Sequence, residues 1–159
     1  MAIAPPACRP MEATTERGLT LAHDFAAPAT LVYRAFTQPE LVRRWWGASS
    51  MTTVCQADVG EGGCFVYTTR TFNGGAVRVT GTYRLVAPAE RLVFTLAEKL
   101  DGGSALATVT FFEHQGITRL ISTFRYSSQR VREQALASGI EGRWHDRFDR
   151  LASLLTALL

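Results

Sequence analysis

Cysteine is scarce: Cys8, Cys55 and Cys64 are the only three among 159 residues. Their number and irregular spacing exclude a disulfide framework and a thiolate zinc site, and are those of a reducing, cytoplasmic setting. Long apolar runs are missing too. No stretch reaches the ~18 apolar residues of a membrane-spanning helix, and the N-terminus lacks the charged segment and apolar run of an export signal. Catalytic signatures are equally absent. There is no nucleophile elbow, no His-Glu-x-x-His, no phosphate-binding glycine loop and no pair of carboxylates at a telling spacing. His23, His114 and His145 do not stand at metal-ligand spacing. No basic run is interleaved with exposed aromatics, so the net charge of +3 and the pI near 9.0 read as scattered arginines rather than a nucleic-acid footprint. Motifs therefore assign no catalytic residue, no metal and no cofactor.

What is present is an ordinary globular composition, 47% hydrophobic and 19% charged, in a chain of one-domain length. Residues 1–17, with Pro5, Pro6 and Pro10 and little periodicity, read as a flexible tail in which Met11 offers an alternative start; 18–159 read as a single domain. The strongest signal lies at the C-terminus. Ile140, Trp144, Phe148, Leu151, Leu155 and Leu158 recur at steps of four and three, which places them on one side of a helix. Arg143, Asp146, Asp149, Arg150 and Ser153 fill the other side. Arg147 falls within the apolar arc, so either its stem runs along the edge of the stripe or its head is aimed into an enclosed space. Gly139 and Gly142 separate this helix from a shorter one near 128–137.

Upstream, 19–25 alternates as a strand. Pro28 opens a helix bearing Leu31, Val32, Ala35 and Phe36; Gln38-Pro39 ends it and begins a second, short helix that runs through Trp45 and Trp46 to Gly47. The period then changes to two. Strands are predicted at 52–58, 64–70, 76–86, 91–98, 105–113 and 118–126, separated by Gly-, Asn- and Asp-rich turns short enough to make neighbours antiparallel. Gly81, in the middle of the clearest strand, marks a bend of the sheet toward its covering helix.

Several segments then form a pattern in their order: Phe25-Ala26-Ala27-Pro28, Val32-Tyr33-Arg34-Ala35-Phe36-Thr37-Gln38-Pro39-Glu40, Trp45-Trp46-Gly47, Gly62-Gly63, Gly81-Thr82-Tyr83, Glu90-Arg91-Leu92-Val93-Phe94, Val109-Thr110-Phe111, Gly116-Ile117-Thr118-Arg119-Leu120, and Trp144 with Asp149-Arg150-Leu151. Together they resemble the SRPBCC superfamily, also called START-like or birch-pollen-allergen-like. Within it they resemble the branch homologous to the activator of the heat-shock-protein-90 ATPase. The resemblance covers about residues 19–159. It implies an α+β helix-grip fold, in which a curved seven-stranded antiparallel sheet wraps a long C-terminal helix, with two short helices between strands 1 and 2. One departure is that Arg143 stands directly before the helix Trp, where such sequences carry glycine.

Parity along the strands directs Phe65, Tyr67, Val79, Tyr83, Phe94, Leu96, Val109, Phe111, Leu120, Ser122 and Phe124 inward, toward Trp144, Phe148 and Leu151. From the residues alone these positions either fill a solid core or line a pocket. The resemblance implies the pocket, of about 300–1,000 Å³, holding a small hydrophobic or aromatic molecule. Trp45 and Trp46 suit its mouth, and Tyr67, Tyr83, Tyr126 and Ser122 carry hydroxyls to orient a ligand. The resemblance also admits an enzyme of the cyclase, aromatase or hydrolase kind using cavity Tyr and His groups, and a chaperone-interaction module. His114, beside Glu113 at a strand end, is the best general-base candidate by chemistry, against the plainer reading of an exposed turn histidine. Cys55 and Cys64 either face one another across neighbouring strands or are two buried small side chains. Phe112 faces the polar side of the sheet, where an exposed aromatic suits a homodimer contact.

Overall fold

The computed structural model describes residues 9–11, 16–47, 52–71, 73–98 and 103–159. Cys8 and most of the predicted tail lie outside them. The strands are β1 (Arg9–Met11), β2 (Gly18–Phe25), β3 (Thr52–Ala57), β4 (Cys64–Arg70), β5 (Ala76–Ala87), β6 (Arg91–Glu98), β7 (Gly103–His114) and β8 (Ile117–Tyr126). The helices are α1 (Ala29–Thr37) and α2 (Pro39–Trp45), between β2 and β3, and α3 (Gln129–Ala137) and α4 (Ile140–Leu158) at the end. All strands pair antiparallel in the order β1-β2-β8-β7-β6-β5-β4-β3. Seven are the predicted ones. The eighth, β1, corrects the reading of residues 1–17 as wholly tail, since Arg9–Met11 pairs with Thr20–Ala22. Three residues with two prolines nearby carry too little periodicity to betray a strand that its partner defines.

The helix ends are set by local chemistry. Pro39 begins α2, where its missing N–H costs nothing. Ser128 caps α3, its hydroxyl accepting from Val131 N at 3.2 Å. The first N–H of α1 finds its acceptor far along the chain: Ala29 N donates to Glu113 Oε1 at 2.6 Å. Glu113, read as the neighbour of a candidate base, therefore pins α1 to the end of β7. Gly139, at φ +86°, makes the turn between α3 and α4, a conformation costly for a residue with a Cβ. Gly142 lies within α4. Arg143 folds back across the turn, donating to Ser138 O at 2.6 Å.

Helix α4 buries Ile140, Trp144, Arg147, Phe148, Leu151, Leu154 and Leu155. Leu158, predicted on the stripe, is 37% exposed, while Leu154, one turn earlier, is buried. The inner face of the sheet follows parity, with Phe65, Tyr67, Val79, Tyr83, Phe94, Val109, Phe111, Leu120, Ser122 and Phe124 all buried. The predicted bend is at Gly81. A Cβ there would collide with the Thr95 carbonyl oxygen and the Phe65 ring. Beside it the β5–β6 register shifts between Tyr83 and Leu85, and Thr82 N bonds the Thr95 side chain at 2.9 Å. That is a bulge in a bent strand. Cys55 lies opposite Tyr67 and Cys64 opposite Thr82, so the two cysteines do not face each other. Cys64 is exposed, contrary to the buried alternative, and Cys55 is half-buried.

Candidate functional site

Between the sheet, α1, α2 and α4 lies an enclosed cavity walled by Phe36, Val42, Trp45, Trp46, Phe65, Tyr67, Tyr83, Leu92, Phe94, Leu96 and Trp144. Its volume is about 20 Å³. That is room for one water molecule and corrects the expected pocket of about 300–1,000 Å³. The space is taken up by rings. Phe65 stacks on Tyr67 at 4.8 Å, Trp46 meets Tyr67 at 5.0 Å and Trp144 at 5.4 Å, and Phe36 meets Trp45 at 5.0 Å. Such contacts are the close packing of a folded interior.

Of the residues read as cavity-lining, Trp45, Trp46, Phe65, Tyr67, Tyr83, Phe94 and Trp144 come together in this wall, joined by Leu96, which parity had directed inward. Val79, Phe111, Ser122, Phe124, Phe148 and Leu151 are buried but stand away from it. Phe36, Val42 and Leu92 complete the wall and were not singled out in the sequence. For Phe36 and Val42 a signal existed, the apolar faces of the two short helices, but nothing in it showed that those helices close the same space. Trp45 is a joint between helices: its indole N–H donates to Ala35 O at 2.9 Å. Both Trp45 and Trp46 are buried, so neither forms an open mouth.

Three polar features interrupt the apolar interior. Tyr67 and Tyr83 bring two hydroxyls to the wall; burial pushes the Tyr83 phenol up to about 12 and raises that of Tyr67 well above its ordinary range. Both are neutral hydroxyls at physiological pH. The Trp144 Nε1–H is buried and meets no acceptor. The third feature is the seam between α2 and α4. Arg150 Nε donates to Trp45 O at 3.0 Å and its Nη2 to Trp46 O at 3.2 Å, while Arg147 Nε donates to Trp46 O at 3.2 Å. The Arg147 guanidinium lies 4.0 Å from the Trp46 ring centre and 4.9 Å from that of Trp144. Of the two readings of Arg147, the enclosed head is therefore the one found. Two cations on the last carbonyls of α2 match the negative end of its dipole. Burial and the neighbouring Arg147 charge lower the affinity of Arg150 for its proton.

The histidines stand apart from the cavity. His114 and His145 are exposed, and His145 pairs with Asp149 at 3.3 Å. His23 is buried against Phe25 and Phe148, with neither ring nitrogen hydrogen-bonded. Among the described residues, Tyr67 and Tyr83 are the titratable groups in the cavity wall, and burial keeps both phenols protonated. Among the described residues no three His, Cys, Asp or Glu side chains are placed to hold a metal ion, and no helix is long and apolar enough to cross a membrane. Phe112 is 53% exposed on the outer face, as parity requires.

A family model described as Activator of Hsp90 ATPase homolog 1-like protein matches residues 26–156. No curated protein matches the chain. Many solved structures share the fold. A Rhodobacter sphaeroides protein is 23% identical, with 96% of this chain and 99% of that one covered and a TM-score of 0.87. A Mycobacterium smegmatis protein is 23% identical, with 98% and 100% covered and a TM-score of 0.84. An Arthrobacter aurescens protein is 16% identical, with 94% and 91% covered and a TM-score of 0.85. At these identities the likeness is one of fold.

Proposed function

The chain belongs to the activator of Hsp90 ATPase homolog 1-like family, within the SRPBCC superfamily, and from that premise we propose that it binds a small apolar molecule bearing a hydrogen-bond acceptor. The molecule sits between the sheet and α4, and the protein does no covalent chemistry on it. The supporting observation is the buried Trp144 Nε1–H in the wall of an otherwise apolar, aromatic cavity. An orphaned buried donor costs about 1–3 kcal/mol, a penalty that a bound carbonyl or ether oxygen removes.

A cavity of 20 Å³ admits no such molecule without movement, so this is the closed state of a protein that opens to bind. The α2–α4 seam is the wall to move, because polar bonds to two arginines hold it where the rest is packed apolar rings. A ligand burying about 200 Å² of apolar surface gains roughly 5 kcal/mol. Opening subtracts from that gain and lowers the apparent affinity by the fraction of open protein. A chaperone-interaction role, which the family description brings to mind, concerns the outer surface and leaves this cavity without a use.

Isothermal titration with acetophenone and ethylbenzene tests the reading, since the two differ chiefly in one acceptor oxygen. Acetophenone is expected to bind several-fold more tightly, and Trp144→Phe, which keeps a ring but deletes the N–H, to erase the difference. Absence of binding by both, with the protein folded by near-ultraviolet circular dichroism, overturns the proposal.

A further inference from the structure

A second concavity lies on the other side of the sheet, with no part in the interior reading. It is an open groove of about 650 Å³ on the solvent face of β4–β8. The register explains its floor. Arg125, Leu106 and Thr95 stand abreast on β8, β7 and β6, and Thr82 and Cys64 continue the row on β5 and β4. One step along the strands, Ser104, Ala97, Thr80 and Val66 form a second row. On the central strands the side chains other than Leu106 are small and mostly hydroxylic. The surface therefore dips between the long side chains of Arg84 on β5 and Arg125 on β8, both in the groove wall.

Charge is distributed to match. The outward positions of β4–β8 carry Arg70, Arg78, Arg84, Arg91, Arg119 and Arg125 and, among the described side chains, no carboxylate. Of these six only Arg119 has an ion-pair partner among the described residues, Asp24 of β2 at 2.7 Å. The whole chain carries 17 basic and 14 acidic residues. Its small net charge thus conceals a strongly cationic sheet face.

We infer that this groove binds a small organic molecule with an anionic group at each end, a dicarboxylate or bisphosphate, gripped at its ends by Arg84 and Arg125 and hydrogen-bonded along its length by Thr80, Thr82, Thr95 and Ser104. Guanidinium forks pair with carboxylate and phosphate oxygens in a planar, two-bond geometry, and hydroxyls between them donate to the same oxygens. Three strand spacings across and two residues along separate the two arginine Cα positions, about 16 Å in all. A compact anion with a single head meets one arginine, and a single exposed ion pair is worth only about 0–1 kcal/mol. A molecule with an anionic group at each end meets both. The groove lies across the sheet from the enclosed interior cavity, and Phe65 borders both.

Titration of the ¹⁵N-labelled full-length chain, followed by amide shifts, tests this with acetate and inorganic phosphate against pimelate and 1,6-hexanediol bisphosphate. The two-ended anions are expected to saturate shifts at Thr82, Thr95, Ala97 and Ser104 with at least tenfold tighter binding than acetate or phosphate. Arg84→Gln and Arg125→Gln, both at exposed positions, should each reduce the two-ended anions toward the affinity of acetate and phosphate, while Arg78→Gln, outside the groove, should leave them unchanged. Equal, weak binding of all four anions, or no shifts, would overturn the inference. So would tighter binding of polyglutamate or an oligonucleotide with shifts spread over all six arginines, which would assign the face to a macromolecule.

Discussion

His23 shows at the scale of one residue how burial becomes pH dependence. Desolvation lowers its pKa, only partly offset by Asp149 and Asp24 and reinforced by His145. Above the ordinary imidazole value of 6.5 the ring is neutral whether the chain is folded or not, and it costs nothing. As the pH falls below 6.5 the unfolded chain takes up a proton that the folded chain refuses, so stability is lost with acid. His23→Phe, which suits the contacts with Phe25 and Phe148, is expected to flatten the fall in urea midpoint between pH 7 and 5; an unchanged pH profile in the variant would exonerate His23. Gly81 is the other residue whose chemistry is dictated by its neighbours. Gly81→Ala drives a methyl into the Thr95 carbonyl, which is backbone and cannot rotate away. A loss of about 3 kcal/mol or more in denaturant unfolding is expected, and trimming Phe65 to Leu in the same chain should not restore it.

At the scale of elements the decisive contact is α2 on α4. Arg150 holds the carbonyls of both Trp45 and Trp46, and Arg147 shares the second. Arg150→Met keeps the length of the side chain but removes every bond to α2. Its expected cost is about 1–3 kcal/mol, with faster amide hydrogen exchange confined to 39–46. Because both arginines bond the same carbonyl, the Arg147→Met and Arg150→Met losses should not sum in the double variant, the deviation being of order 0.5 kcal/mol or more. Additive losses, or exchange quickened throughout the sheet, would mean that the seam is ordinary packing rather than a latch.

For the whole molecule, the helix-grip architecture was legible because each long element repeats one period. Strand parity named the inner face correctly from Phe65 to Phe124, and the four-three spacing named α4. What stayed hidden depends on contacts between distant segments. The strand at Arg9–Met11 exists through its pairing with β2, and Glu113 caps a helix 84 residues upstream. The same limit applies to the candidate site. Alternation shows which side chains point inward but not whether their rings leave a gap, and here Trp46, Tyr67 and Phe65 nearly close it. Nor does a pattern of polar outward residues disclose that six of them are arginines on one curved surface, which takes the register to see.

All three tryptophans, Trp45, Trp46 and Trp144, meet at that seam, with ring centres 5.8 and 5.4 Å apart along the series. The tryptophan emission of the entire protein therefore comes from a single spot, with a guanidinium against two of the emitters. A spectrometer sees this junction and is blind to the convex side of the sheet. Any spectral change on adding a solute reports a rearrangement of the interior, while an anion settling among the outer arginines leaves the light unaltered.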